Sequence, residues 1–350
     1  MPRTLRTPAD LAAAGLVRGD AAADLERVAA AFAVAVTPDL AGLIDPTDPD
    51  DPVARQFVPD PRELLTTPAE RADPIGDDAH SPVPGVVHRY PDRVLLKAVS
   101  VCPVYCRFCF RRETVGPGGD GAMTDAELDA AAAYVASRPE VREVILTGGD
   151  PFVLSPRRMA EVVGRIAAIE HVDVVRAHTR VPVAEPARVT DALVRALKAP
   201  GKASWVVLHA NHARELTPAA VAAIGRLVDG GVPVLAQTVL LRGVNDDART
   251  LEDLFRALVR ARAKPHYLHH GDLARGTRHF RTTLARGRAL VRALRGRVSG
   301  LCQPTYVLDI PGGHGKVPAA APWIEPEGDG WRAEDPTGRV HAYRDDADPD

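Results

Sequence analysis

From Arg93 onward, short apolar runs rich in β-branched residues alternate with longer segments of helical periodicity. The apolar runs fall at 93–101, 141–146, 172–177, 204–208, 232–241, 265–269 and 304–310. Several intervening segments open on helix-start chemistry: Thr124 with Glu127 three residues on, Ser155 before Pro156, and Thr217 before Pro218. Strand and helix alternating in this way predict a parallel sheet with helices outside it. Six such units and a closing strand fit a partial (β/α)6 barrel of the α/β class better than a closed eight-unit barrel. Polar residues recur at the C-terminal ends of the runs, where barrels of this kind carry their sites.

The flanks follow other patterns. Residues 1–44 read as short Ala-rich amphipathic helices, at 8–16 and 22–36, punctuated by Gly and Pro. From 45 to 84 Asp and Pro dominate, which predicts a solvated extended linker without chemistry of its own. The expected organisation is therefore a helical cap and linker over 1–85, a barrel over 86–318, and a short packed extension over 319–350.

Composition narrows the function. The 350 residues carry a formal charge of −2 with interspersed signs, so no basic face for nucleic acid is expected. No apolar run approaches the roughly 18 residues of a membrane span, and no secretory h-region is visible at the N-terminus. Free thiols without an export signal point to the cytoplasm.

Three of the four cysteines occur as Cys102-x3-Cys106-x2-Cys109. Closely spaced thiolates select soft metals or iron–sulfur centres. A structural zinc site or a closed [4Fe–4S] cluster needs four protein ligands, and Cys302 is far away along the chain. Three thiolates on a four-iron cluster leave one iron open for another ligand. Three unligated cysteines are the plain alternative, and an odd trio on one loop does not form a disulfide framework. His266, His269, His270 and His279 raise a zinc alternative, while Cys302 reads as a buried apolar residue.

Two glycine-rich stretches stand beyond strands. Gly148-Gly149-Asp150 would let a ligand approach the backbone, with Asp150 accepting from an ammonium. Lys316 ends the loop Pro311-Gly312-Gly313-His314-Gly315, whose spacing is not that of a P-loop. A lysine in a confined, poorly solvated site can instead act as a Schiff-base amine, the usual tether of pyridoxal 5′-phosphate (PLP).

The cysteine spacing with Phe108 before its last member resembles the signature of radical S-adenosylmethionine (SAM) enzymes. That resemblance implies a [4Fe–4S] cluster whose open iron binds SAM, with Phe108 against the adenine and Gly148, Gly149 and Asp150 around the SAM amino group. Taken with residues 88–93 (His-Arg-Tyr-Pro-Asp-Arg), Arg111-Arg112, His209-Ala-Asn-His212, 237–246 and 311–318, the chain from about 45 to 318 resembles the lysine 2,3-aminomutase family. The family resemblance implies that Lys316 carries PLP, that Arg89, Arg93 and Arg180 surround its phosphate, and that Tyr90 lies near its ring. It further implies that Arg111 holds the substrate carboxylate, and that Asp272 and Asp309 hold the far ammonium of lysine. The implied reaction is an isomerisation of L-lysine to β-lysine, with hydrogen abstraction by a 5′-deoxyadenosyl radical and amino migration on PLP. A flavodoxin or ferredoxin would supply the electron, and self-association is left open.

One departure stands out. The cysteine cluster that binds zinc in the C-terminal region of the best-known members has no counterpart in 319–350, so that zinc and its mode of assembly are not carried over. Alternatives are the branch that makes β-lysine for elongation factor P, an aminomutase of another amino acid, and a non-catalytic iron–sulfur protein.

Overall fold

The computed structural model describes residues 3–17, 22–116 and 121–345. The extreme ends of the expected cap and extension, 1–2 and 346–350, lie outside the described residues.

Nine strands form one sheet whose spatial order is the order of the chain. They are β1 (Val86–Tyr90), β2 (Arg93–Val99), β3 (Glu143–Gly148), β4 (Val174–Thr179), β5 (Ala203–His209), β6 (Val234–Val239), β7 (Ala263–His269), β8 (Thr305–Asp309) and β9 (Lys316–Pro318). From β2 to β8 every pairing is parallel, while β1 and β9 are antiparallel to β2 and β8. Strands β1 and β9 are the edges of the sheet, so the barrel stays open. The seven expected runs thus correspond to β2–β8. The edge strands escaped the periodicity because β1 is polar over half its length and β9 has three residues.

Helices Asp125–Ala136, Pro156–Ala167, Asp191–Leu197, Pro218–Asp229, Ala248–Arg260 and Leu284–Leu294 connect successive parallel strands. Thr124, Ser155, Thr190, Thr217, Asp247 and Thr283 each cap the following helix through a side-chain oxygen, and Thr124 with Glu127 forms a reciprocal box. A cap of this kind contributes about 1 kcal/mol. Alternation along the strands then sorts the side chains. Val94, Leu96, Val144, Leu146, Val175 and Ala177 are buried in the core that the helices share, whereas Leu95, Ile145, Thr147, Arg176 and His178 line the lumen. A one-residue slip of register would exchange these two sets.

At the N-terminus the helices are Pro8–Ala13, Ala22–Ala31 and Pro38–Ala41. The expected helix over 22–36 stops early: Val36 pairs with Leu5, and the Ala35 carbonyl accepts from the Tyr105 amide in the cysteine loop. Phe57 is fully buried in a second core with Leu11, Leu40, Val104 and Ala184, which fastens the cap to that loop. Full burial of such a side chain stabilises by about 1.5–3 kcal/mol.

The segment 45–84 is not a solvated linker. It contains short turns at Ala54–Phe57, Pro61–Leu64 and Asp78–His80, and Asp51, Glu63, Glu70 and Asp77 are all buried. Each has an arginine partner supplied by another part of the chain: Arg214, Arg107 with Arg112, Arg281 and Arg111. A local pattern of Asp and Pro carries no sign of partners so distant in sequence.

Beyond the barrel, β10 (Ile324–Glu327), β11 (Gly330–Glu334) and β12 (Val340–Tyr343) form a separate antiparallel sheet. It meets the helix Leu284–Leu294 through Arg292, which lies 4.1 Å over the Trp323 ring and pairs with Glu334.

Candidate active site

The lumen encloses a cavity of about 680 Å3, within the size range of small-molecule sites. Cys102, Cys106 and Cys109 line it together with Lys316, residues more than two hundred positions apart.

The three cysteines sit on an irregular loop after β2 and are each partly buried. Burial pushes the Cys106 thiol up to about 11, raises Cys102 well above its ordinary value, and raises Cys109 as well. As free thiols they are therefore neutral; a bound metal would have to offset the cost of the thiolates. Among the described residues no three His, Cys, Asp or Glu side chains converge tightly enough for a single metal ion, the four candidate zinc histidines included. Three cysteines on a four-iron cluster bind three different irons and need no such convergence. Cys302 is buried elsewhere, within the outer core, as a buried apolar residue.

The Gly148-Gly149 turn serves this loop directly. A Cβ on Gly148 would stand 2.5 Å from the Val99 carbonyl oxygen, and one on Gly149 2.2 Å from that of Val101. Both glycines line the cavity, but the close approach they permit is that of the cysteine loop. Asp150 departs from expectation. Its carboxylate accepts from the amides of Phe152 (3.0 Å), Arg180 (2.7 Å) and Val181 (3.2 Å) and from the Thr179 hydroxyl (2.7 Å). These four donors fill its lone pairs, so it fixes the turn after β4 and leaves nothing for an ammonium.

Phe108 lines the cavity with its ring edge-on to Phe280, at a centroid separation of 6.1 Å. Beside it Arg111 donates from Nε to Asp77 (2.8 Å) and from Nη1 to Thr147 (3.3 Å). Burial opposes ionisation of Asp77, but the Arg111 charge wins and lowers its pKa. Asp77 thereby aims the guanidinium into the lumen.

At the Lys316 end, β8 and β9 place Asp309 opposite Lys316, and the two side chains form an ion pair. The Lys316 amide donates to the Tyr90 hydroxyl at 2.8 Å. Gly312, Gly313 and Gly315 all take positive φ, and the Gly312 amide donates to the Pro74 carbonyl (3.1 Å). Segment 73–80 thus closes over the glycine loop. Burial works against ionisation of Asp309, yet nearby His269 (3.8 Å) and Lys316 outweigh it and hold its pKa far below the ordinary value. Asp272 goes the other way: burial, with the Asp309 charge facing it, raises it to about 7.

Arg89 donates to the Ile75 carbonyl (2.8 Å) and approaches Asp309 (3.6 Å), and Arg93 lies 3.8 Å over the Tyr90 ring. Both line the same cavity as Lys316. Arg180 does not join them. It is paired with the fully buried Glu215 (2.6 Å) and lies 5.5 Å from the Phe108 ring, at the cysteine end. The reason is its place at the C-terminal end of β4, the end at which the cysteine loop follows the parallel strand β2. Arg176, four residues earlier on β4, lines the cavity with its partner Glu143. No motif marks Arg176 in the sequence, although its inward parity on β4 was readable.

The residues present fit the expected cofactors. Buried Arg89 Nε, His178 Nε2 and Asp309 Oδ1, all on cavity-lining residues, have no hydrogen-bond partner. Such orphans are costly unless a polar ligand meets them. Arginines beside a lysine suit a phosphorylated aldehyde, and three thiols without a fourth suit a cluster with an open iron.

The sequence profile described as the radical SAM superfamily matches residues 97–255, which places the chain among radical SAM enzymes. It is 42% identical over 291 residues to the L-lysine 2,3-aminomutase of Clostridium subterminale, covering 83% of this chain and 70% of that one. Against the L-lysine 2,3-aminomutase of Fusobacterium nucleatum it is 40% identical, covering 83% and 68%. Against the glutamate 2,3-aminomutase of Clostridioides difficile it is 33% identical, covering 87% and 71%. The chain belongs to the lysine 2,3-aminomutase family, the radical SAM aminomutases, which are isomerases that use a [4Fe–4S] cluster, SAM and PLP.

Proposed function

We propose that this protein converts L-lysine to β-lysine. The observation that carries the reading is the pair Asp272 and Asp309 in the same lumen as Arg111 and Lys316. A cationic guanidinium and two carboxylates complement an amino acid with a carboxylate at one end and an ammonium at the other. A glutamate side chain would meet two carboxylates and be repelled. Each charged hydrogen bond contributes roughly 1.5–3 kcal/mol.

In this reading Cys102, Cys106 and Cys109 hold the cluster, and Phe108 with the Gly148 and Gly149 backbone borders SAM. Lys316 tethers PLP, Tyr90 flanks it, and Arg89, Arg93 and Arg176 face its phosphate. The cluster and SAM supply hydrogen-atom abstraction, and PLP supplies the nitrogen chemistry that lets an amino group migrate. The protein's own work is to orient the substrate through Arg111, Asp272 and Asp309, and to keep water out of the lumen. Asp77 and Thr147 hold Arg111 in place. Residues 1–85 serve as a cap, and 319–350 as an extension packed on the barrel. An external flavodoxin or ferredoxin supplies the electron. Among the described residues no helix is long and apolar enough to cross a membrane.

The test is anaerobic reconstitution with iron, sulfide and PLP, then incubation with SAM, a reductant and a mixture of amino acids. β-Lysine is the expected product. The β-isomer of another amino acid, or SAM cleavage without any isomer, overturns the assignment.

A further inference from the structure

Two guanidiniums stand behind the cysteine loop and share one carboxylate. Glu63, fully buried, accepts from Arg107 Nη2 (2.6 Å) and Nε (2.9 Å), and also from Arg112 Nη2. Arg107 and Arg112 are themselves 1% and 8% exposed. Their remaining contacts carry no charge: Arg107 Nη1 donates to the Ala33 carbonyl (2.7 Å), and Arg112 Nη1 to the Arg107 carbonyl (2.9 Å). Arg112 also lies 3.6 Å over the Phe32 ring. Among the described residues neither guanidinium has another ion-pair partner. The buried group therefore holds one positive charge in excess.

The other arginines around the loop are matched one to one, Arg111 with Asp77 and Arg180 with Glu215. Asp150 accepts one hydrogen bond from the Phe152 amide in its own turn and three from Thr179, Arg180 and Val181 at the end of β4, and its carboxylate pairs with none of these guanidiniums. Arg107, Arg112 and the three cysteines line a common void of about 50 Å3. A buried cation left without an anion is strongly destabilising, so the surplus calls for a negative partner. A cluster held by three thiolates is such a partner, and it becomes more negative when it gains an electron.

We propose that Arg112, anchored by Glu63, is the counter-charge that sets the reduction potential of the cluster on Cys102, Cys106 and Cys109. The inference rests on the cluster assigned above. Arg112 is a positioning residue in this role, since it acts through the field at the cluster and touches no substrate. Glu63 belongs to the supposed linker, which makes segment 45–84 part of the redox site.

The experiment is a redox titration of the reconstituted cluster, followed by electron paramagnetic resonance, without SAM or substrate. Arg112→Gln leaves Glu63 paired one to one with Arg107 and removes the surplus charge. It is expected to lower the reduced-to-oxidised ratio at fixed potential about tenfold or more, equivalent to about 59 mV for one electron. Arg112→Lys keeps the charge and should stay close to the parent; Glu63→Gln removes the shared negative charge and should move the other way. An Arg112→Gln protein that loads its iron and sulfide fully yet titrates like the parent overturns the proposal. So does an Arg112→Lys protein that shifts as far as Arg112→Gln. Should Glu63→Gln fail to fold, the two Arg112 variants decide alone. Failure of the parent itself to bind iron and sulfide would instead count against the cluster assignment.

Discussion

Asp309 and Lys316 are directly opposed across the β8–β9 pairing, and the carboxylate holds the ammonium in an ion pair. The glycine loop between them turns the chain back with three positive-φ glycines, so seven residues of sequence become one ion pair. The same Asp309 is approached by Arg89 (3.6 Å) and His269 (3.8 Å), which makes it the charge hub of its end of the lumen.

Lys316→Ala removes the amine but no buried apolar surface of note. The variant is expected to lose covalently held PLP, read as the absence of a borohydride-fixed PLP adduct on the chain by mass spectrometry, while its iron and sulfide content stays at the parent level. Covalent PLP retained by the variant would contradict the assignment of Lys316.

In the proposed substrate site, Asp309→Ala deletes one charged contact to the far ammonium. Lysine turnover, measured as kcat/KM, is expected to fall roughly ten- to a hundred-fold. Unchanged kinetics would remove Asp309 from the substrate site.

Asp272 gives a pH dependence. Its folded-state value is raised to about 7 from 3.8, so below about pH 7 the ligand-free carboxyl carries a proton that an incoming ammonium must displace. Apparent affinity for lysine should fall as pH drops through this range, approaching about tenfold per unit, and level off above it. The raised value also means that Asp272 weakens the fold as pH rises from 3.8 to about 7. Asp272→Asn should bind lysine less well and show a flat profile; a slope retained in that variant would assign it to another group.

Gly149→Ala tests the contact between the β3 turn and the cysteine loop. The new Cβ would meet the Val101 oxygen at 2.2 Å, so backbone must move. Overpacking of this kind costs about 1–3 kcal/mol, and here the displaced atoms carry Cys102. Reconstituted iron per chain is expected to drop well below the parent value. A full complement of iron would show that the loop tolerates the shift.

The strands β2–β8 and the capped helices between them were legible because they depend on neighbours two to four residues apart, where alternation and cap chemistry are written locally. The edge strands β1 and β9 were not, since a short or polar strand is defined by its partner. Arg180 and Arg176 show the same limit at the site. Motif resemblance selected Arg180, and the direction of β4 assigned it to the cysteine end.

What the chain determined by itself was the alternating architecture, the trio Cys102, Cys106 and Cys109 with no fourth thiol nearby, and the lysine beyond the last parallel strand. Only the folded molecule decided which carboxylates meet which arginines: Glu63 with Arg107 and Arg112, Asp77 with Arg111, Glu215 with Arg180. These pairs join residues some 34 to 49 positions apart. Their strength comes from shared burial, and burial is a property of the packed structure that no stretch of sequence contains.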